Sequence, residues 1–272
     1  EQLQTLQYWL GSRPIPRPAR QTWRDYPVFH EVQGTIDSIF EASPQMRSMH
    51  YMAADEAEEC RLLLEPTFAS PCLATYSHLE SYQAWLNGQD LTAQYEYYRD
   101  LLKLIGLHEP DKTWLLKCPH HSPHLDSLFK VFPDARIILT HRNPLDIIPS
   151  TCSLSGAFVR MFEGNNYDPV YWGKRFLSDW DYQLRCLLKA RDERPEQFYD
   201  FRFAQFGKDP IGSISQVYDH FGLDLDGDTA DSLKDWLDAN PKGKHGDYDY
   251  NAEDFGLTAG MINERFNYYD EY

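Results

Sequence analysis

The chain has 272 residues, 42% of them hydrophobic, which suffices to bury one substantial core and asks for no more than a single domain, residues 1–272. Its formal net charge of −16 sets up a field that repels polyanions, which argues against non-specific binding to nucleic acid or to an anionic membrane surface. No apolar run approaches the roughly 20 residues that span a bilayer, and the start Glu1-Gln-Leu-Gln4 has no charged-then-apolar signal pattern. Cys60, Cys72, Cys118, Cys152 and Cys186 form an odd set without close paired spacing, which suits a reducing compartment, so the expected location is cytoplasmic.

Along the chain, Arg13-Pro-Ile-Pro-Arg-Pro18 is an extended connector, because its prolines remove amide donors and push their neighbours out of helical geometry. Helical spacing follows over 28–42 and over 55–64, the latter with Cys60, Leu63 and Leu64 on one side. Further helices rich in Tyr and Trp are expected at 82–85 and 95–107. Aromatic faces of this kind are usually core, and they also suit an apolar acceptor pocket. Trp114-Leu-Leu-Lys117 and Arg136-Ile-Ile-Leu-Thr140 are strands with a helix from about 123 to 131 between them, a unit whose strands should run parallel through a right-handed crossover. Asn143-Pro144 opens another helix, with proline in the first turn. A long helix over 172–191, a strand at Phe198-Tyr-Asp-Phe-Arg202, a helix from Asp209-Pro210 to Phe221 ending at Gly222, and a shorter one over 231–238 complete the pattern. Residues 240–250 read as a polar loop.

Short apolar runs that stop at Lys, His or Arg ahead of a helix start are how open α/β sheets build ligand sites. Between Lys112 and Arg142 the charge balance reverses, with Lys112, Lys117, Lys130, Arg136 and Arg142 against Asp126 and Asp134. An anion belongs on that basic island. Arg142 and Ser150 lie across a strand end and the first turns of a helix. An arginine fork offers a phosphate two donors in one plane, and the serine hydroxyl and helix N-terminal amides add more. Cys118, His120, His121 and His124 also invite a metal reading. Adjacent histidines on a turn stiffened by Pro119 and Pro123 project differently, however, and no second ligand pair of recognised spacing lies elsewhere, so no metal is expected. Pro241-Lys-Gly-Lys-His-Gly246 is a flexible basic loop whose backbone can close over a phosphate.

Leu116-Lys-Cys-Pro-His-His121 with Leu125-Asp126, then Phe132-Pro-Asp-Ala-Arg136 and Thr140-His-Arg-Asn-Pro144 with Ser150, resembles the sulfotransferases that use 3′-phosphoadenosine 5′-phosphosulfate. Weaker matches extend over most of the chain, at Tyr8-Trp-Leu-Gly-Ser-Arg-Pro-Ile-Pro-Arg-Pro18, Glu58-Glu-Cys60 and Gly243-Lys-His-Gly246. The resemblance implies an α/β, three-layer, P-loop-NTPase-like fold with a central, mainly parallel sheet flanked by helices. It implies sulfuryl transfer from that donor to the hydroxyl of a small-molecule or lipid acceptor, an alcohol or a phenol, with adenosine 3′,5′-bisphosphate as product and no metal. Sulfuryl transfer needs cationic donors on the transferring oxygens and a base for the acceptor's proton. The family pattern places the base at His121 and the charge stabiliser at Lys117, with His120 and His124 as rivals for the base. Glu59, on a predicted helix, matches an acidic pair that orients the acceptor or His121, or else lies on a solvated face. Arg142 and Ser150 match the binding site of the nucleotide's 3′-phosphate, and Lys242, Lys244 and His245 match a phosphate-covering loop.

The sequence departs from the family pattern at Asp247-Tyr-Asp249, where relatives continue with basic residues. These sulfotransferases also begin with a strand and a glycine-rich turn that cradles the 5′-phosphosulfate. Tyr8-Trp9 resembles the sequence just after that turn, so the chain is expected to begin downstream of it. Two rivals remain: a non-catalytic nucleotide-binding or interaction protein on the same fold, and a small-molecule kinase, which would need a metal-binding carboxylate after a strand, with Asp146 and Asp200 ambiguously placed.

Overall fold

The computed structural model describes residues 2–241 and 243–269. They group into two compact units, one made of 2–133 with 154–167 and the other of 134–153 with 168–241 and 243–269.

In the first unit, β1 (Leu3–Gln4) and α1 (Tyr8–Ser12) precede α2 (Pro27–Ala42) and the single turn α3 (Met46–Met49). Phe29, Val32, Ile36 and Phe40 recur at helical spacing on α2 and are all buried. Trp9 fills the junction with α1, its ring 6.0 Å from Trp23 and 5.8 Å from both Tyr26 and Phe29. α4 (Glu80–Asn87) and α5 (Thr92–Ile105) follow, and α5 buries Tyr95, Tyr98, Leu102 and Ile105. β2 (Thr113–Trp114) pairs parallel with β1, Leu3 opposite Thr113. A tight turn over Pro119–His124 then leads into α6 (Leu125–Val131), which packs on α5.

The second unit contains β3 (Ile137–His141), the start of α7 (Pro144–Glu163), α8 (Pro169–Glu193) and β4 (Phe198–Arg202). β3 and β4 run parallel, with Ile137 opposite Phe198 and His141 opposite Arg202. α9 (Phe203–Phe206), α10 (Pro210–His220), α11 (Gly227–Ala239) and α12 (Ala259–Arg265) complete it. Asp168, Asp209, Asp226 and Thr258 cap α8, α10, α11 and α12 with side-chain oxygens. Gly222 adopts the left-handed φ of 64° that stops α10 as expected. α8 lies against the Glu253–Phe255 turn so closely that a Cβ at Gly173 would sit 2.2 Å from the Phe255 carbonyl oxygen.

Two expectations are corrected. Residues 55–64 form no α-helix; only Cys60–Leu63 curls into a 3₁₀ turn, and Glu58 and Glu59 lie on the extended segment before it. The reason is backbone competition: the Glu58 amide donates to the Leu6 carbonyl (2.8 Å), the Cys60 amide to that of Lys117 (3.1 Å), and the Glu56 carbonyl accepts from Tyr8 (3.0 Å). Those groups are no longer available to an i to i−4 ladder. The strand expected at Trp114–Lys117 is also shorter, since β2 ends at Trp114; among the described residues β2 pairs with β1 and β3 with β4, each bonding to a partner remote in sequence. Parallel pairing holds in both ladders.

Candidate active site

The candidate residues fall into two groups, one in each unit. In the first unit, the backbone bond from Cys60 to Lys117 brings the Glu58-Glu59-Cys60 segment against the Lys117–His124 turn. The Lys117 ammonium, 71% exposed, donates to the Glu59 carboxylate, whose other oxygen lies 3.6 Å from Arg61 Nε. Glu59 is thus clamped between two cations. The Glu58 side chain is largely covered; its carboxylate meets His50 Nε2 at 3.2 Å and accepts from the Glu59 amide at 2.7 Å. Burial pushes its carboxyl up, but the His50 hydrogen bond and charge, the Glu59 amide and Arg61 together hold it below the usual range.

His121 is held on both ring nitrogens. Nδ1 lies 2.9 Å from the Tyr95 hydroxyl and Nε2 lies 3.3 Å from Cys60 Sγ. The rings of Tyr95 and Tyr98 pack on it with centroids at 5.6 and 5.8 Å. Burial pushes both phenols well above their usual value. The Cys60 thiol is pulled down by the hydrogen bond from Cys118 and, against its burial, by His121 and Tyr98, while burial raises Cys118. The rival histidines differ from His121: His120 Nδ1 and His124 Nε2 are buried with no hydrogen-bond partner among the described residues, and burial draws both rings down to about 4, neutral at pH 7. Among the described residues no group of three or more His, Cys, Asp or Glu side chains is placed to hold a metal ion.

In the second unit, β3 ends at His141 and delivers Arg142 to the start of α7. The guanidinium stacks over Phe203 at 5.2 Å and, among the described residues, its ion pair is a long one to Asp146, at 4.0 Å. A cleft of about 350 Å³ opens at the residues that follow, lined by Asn143, Pro144, Leu145, Asn263 and Phe266. The helix amides contribute less than expected, because Asn143 already accepts from Leu145 through its side chain and from Asp146 and Ile147 through its carbonyl. Ser150 lies half-buried two turns into α7. One turn further, Ser153 meets the Tyr248 hydroxyl at 2.5 Å, which ties the loop after Gly246 to α7. Within that loop, Lys244 donates back to Asn240 and His245 is exposed, while Lys242 lies outside the described residues.

Sequence reasoning missed two networks. Tyr95 carries no signal that separates it from a core tyrosine. His141, buried behind Arg142, bridges Asp200 (3.0 Å) and the Tyr269 hydroxyl (2.8 Å), and Asp200 also accepts from Arg191 at 2.5 Å. Burial raises the Asp200 carboxyl, yet Arg191 and His141 outweigh it and hold it below its usual value. Both of its oxygens are therefore engaged inside the unit.

A profile of the sulfotransferase family matches residues 4–227. The chain belongs to the sulfotransferase family. Within that family it is 33% identical, over 115 residues, to omega-hydroxy-beta-dihydromenaquinone-9 sulfotransferase Stf3 of Mycobacterium bovis and, equally, of Mycobacterium tuberculosis. That stretch is 41% of this chain and spans 29% of the length of those relatives. The crystal structure of sulfotransferase STF1 from Mycobacterium tuberculosis superposes with a TM-score of 0.81 at 32% identity, over 97% of this chain and 69% of that one. Sulfotransferase STF9 from Mycobacterium avium shares the fold, with a TM-score of 0.85 at 24% identity over 100% and 70% of the two chains. The sulfotransferase fold is thus a P-loop-like α/β architecture in this chain too.

Proposed function

We propose that this sulfotransferase moves a sulfuryl group from 3′-phosphoadenosine 5′-phosphosulfate to a hydroxyl of a small-molecule or lipid acceptor. The observation that carries the reading is Arg142: a half-exposed guanidinium on an aromatic platform, whose one ion pair among the described residues is a long one to Asp146, in a chain of this family. A fork so placed fits a phosphate, and Ser150 adds a hydroxyl on the same helix; Lys242, Lys244 and His245 are the further phosphate contacts. Bound donor supplies the transferable group. In this reading Lys117 offsets charge on the transferring oxygens, Glu59 orients Lys117, and His121 takes the proton of the acceptor. A lipid alcohol is the favoured acceptor class, by analogy with the hydroxylated menaquinone named for the relatives.

Calorimetry with adenosine 3′,5′-bisphosphate tests the nucleotide half without needing the acceptor. Arg142→Ala is expected to weaken binding by about 1.5–3 kcal/mol, roughly 10- to 150-fold; unchanged affinity would remove Arg142 from the site. The second reading, nucleotide binding without transfer, is favoured by the engagement of both His121 nitrogens within the protein. It predicts that nucleotide binds while His121→Ala and the natural protein turn over acceptor equally poorly.

A further inference from the structure

The hydrogens around His121 can be assigned by accounting for donors. Tyr95 is 1% exposed and its raised phenol keeps its proton. Among the described residues its hydroxyl has one hydrogen-bond partner, His121 Nδ1 at 2.9 Å. A buried O–H left without an acceptor is strongly disfavoured, so this one donates to Nδ1. A ring nitrogen that accepts carries no hydrogen, which leaves the proton of the neutral ring on Nε2. Nε2 faces Cys60 Sγ at 3.3 Å, and the Cys60 thiol has its own acceptor in the Lys117 carbonyl at 3.6 Å. Phenol, ring N–H and thiol are then all satisfied. The opposite tautomer would turn Nδ1–H onto the Tyr95 oxygen and strand the phenolic hydrogen in the core.

We infer that Tyr95 is a positioning residue that fixes resting His121 as its Nε2–H tautomer. Its consequence for catalysis rests on the reading of His121 as the group that takes the acceptor's proton. In the resting arrangement the basic lone pair is the one on Nδ1, covered by the Tyr95 hydroxyl. Nε2 already carries its hydrogen toward Cys60, so in this tautomer no lone pair at Nε2 is open to the acceptor's proton, and the ring's one lone pair is held by the Tyr95 hydroxyl. Phenylalanine cannot donate that hydrogen bond.

Nuclear magnetic resonance of protein carrying nitrogen-15 histidine reads the tautomer directly. Long-range proton–nitrogen correlations are recorded at alkaline pH, with the His121 signals assigned by their loss in His121→Gln. The expected wild-type result is a protonated Nε2 and an unprotonated, hydrogen-bonded Nδ1. Tyr95→Phe is expected to give mixed tautomers at unchanged affinity for adenosine 3′,5′-bisphosphate. A wild-type Nδ1–H, or ring signals that do not move in Tyr95→Phe, would overturn the assignment; the wild-type spectrum decides even where the variant folds poorly. The spectrum needs no turnover, so it stands apart from the transfer reading. If the tautomer is as assigned but His121→Ala retains full activity, the base role fails while the place of Tyr95 stands.

Discussion

His124 is 4% exposed, and burial together with the charge of neighbouring His121 draws its ring from 6.5 to about 4. The folded chain therefore binds a proton at this site less readily than the unfolded chain. Between pH 6.5 and 4 the unfolded state holds more protons, so stability falls as the pH falls through that window, by up to about 3 kcal/mol from this group. Urea unfolding at pH 7 and pH 4.5 should show the drop, and His124→Phe should flatten it; an equal slope in the variant would place the titration elsewhere. Asp200 acts lower on the scale. Its folded carboxyl sits below the unfolded value of 3.8, so its stabilisation is present above that value and lost as acid passes down through the folded one. At this scale the place of Arg142 just past β3 was legible, because it follows an apolar run and precedes Asn-Pro. Tyr95 was not, because a tyrosine on the buried face of α5 has the same sequence signature whether it packs or positions a ring.

The close approach of α8 to the Glu253–Phe255 turn makes Gly173 a test of packing between elements. Alanine is the better helix former by about 1 kcal/mol. Against that, its Cβ would fall 2.2 Å from the Phe255 carbonyl oxygen and 2.7 Å from the Phe255 Cβ, and a backbone atom cannot rotate aside. Overpacking of this kind costs about 1–3 kcal/mol, so Gly173→Ala should unfold at lower denaturant than the parent; a stabilised variant would mean that the turn lifts away at little expense. Elements whose bonds are local were readable: α2, α5, α7, α8 and α10 lie where their periodicity and caps put them, with ends shifted by a few residues. The stretch 55–64 was not, because its backbone partners sit at Leu6, Tyr8 and Lys117, and no local pattern reports a hydrogen bond made to a segment some fifty residues away. The partners of β2 and β3 were hidden for the same reason.

For the whole molecule the dominant quantity is the charge of −16, the same sign as the nucleotide it is proposed to bind. Raising salt from about 10 to about 100 mM shortens the screening length from roughly 30 to roughly 10 Å, which removes distant repulsion before it removes the pull of Arg142. Association of adenosine 3′,5′-bisphosphate, followed by stopped flow, should therefore become faster over that range; slower association would mean that cations near the site already dominate the approach. The family was legible at this scale through the resemblance read at residues 116–121 and 140–144, and the profile match over residues 4–227 bears the family out. The grouping of residues into two units left no such trace, because the chain changes unit after residues 133, 153 and 167. That interleaving bears on inheritance. A single genetic crossover, wherever it falls, cannot trade one complete unit for a relative's; three are needed. The two units are therefore bound to be passed on, and to accumulate substitutions, as a linked pair.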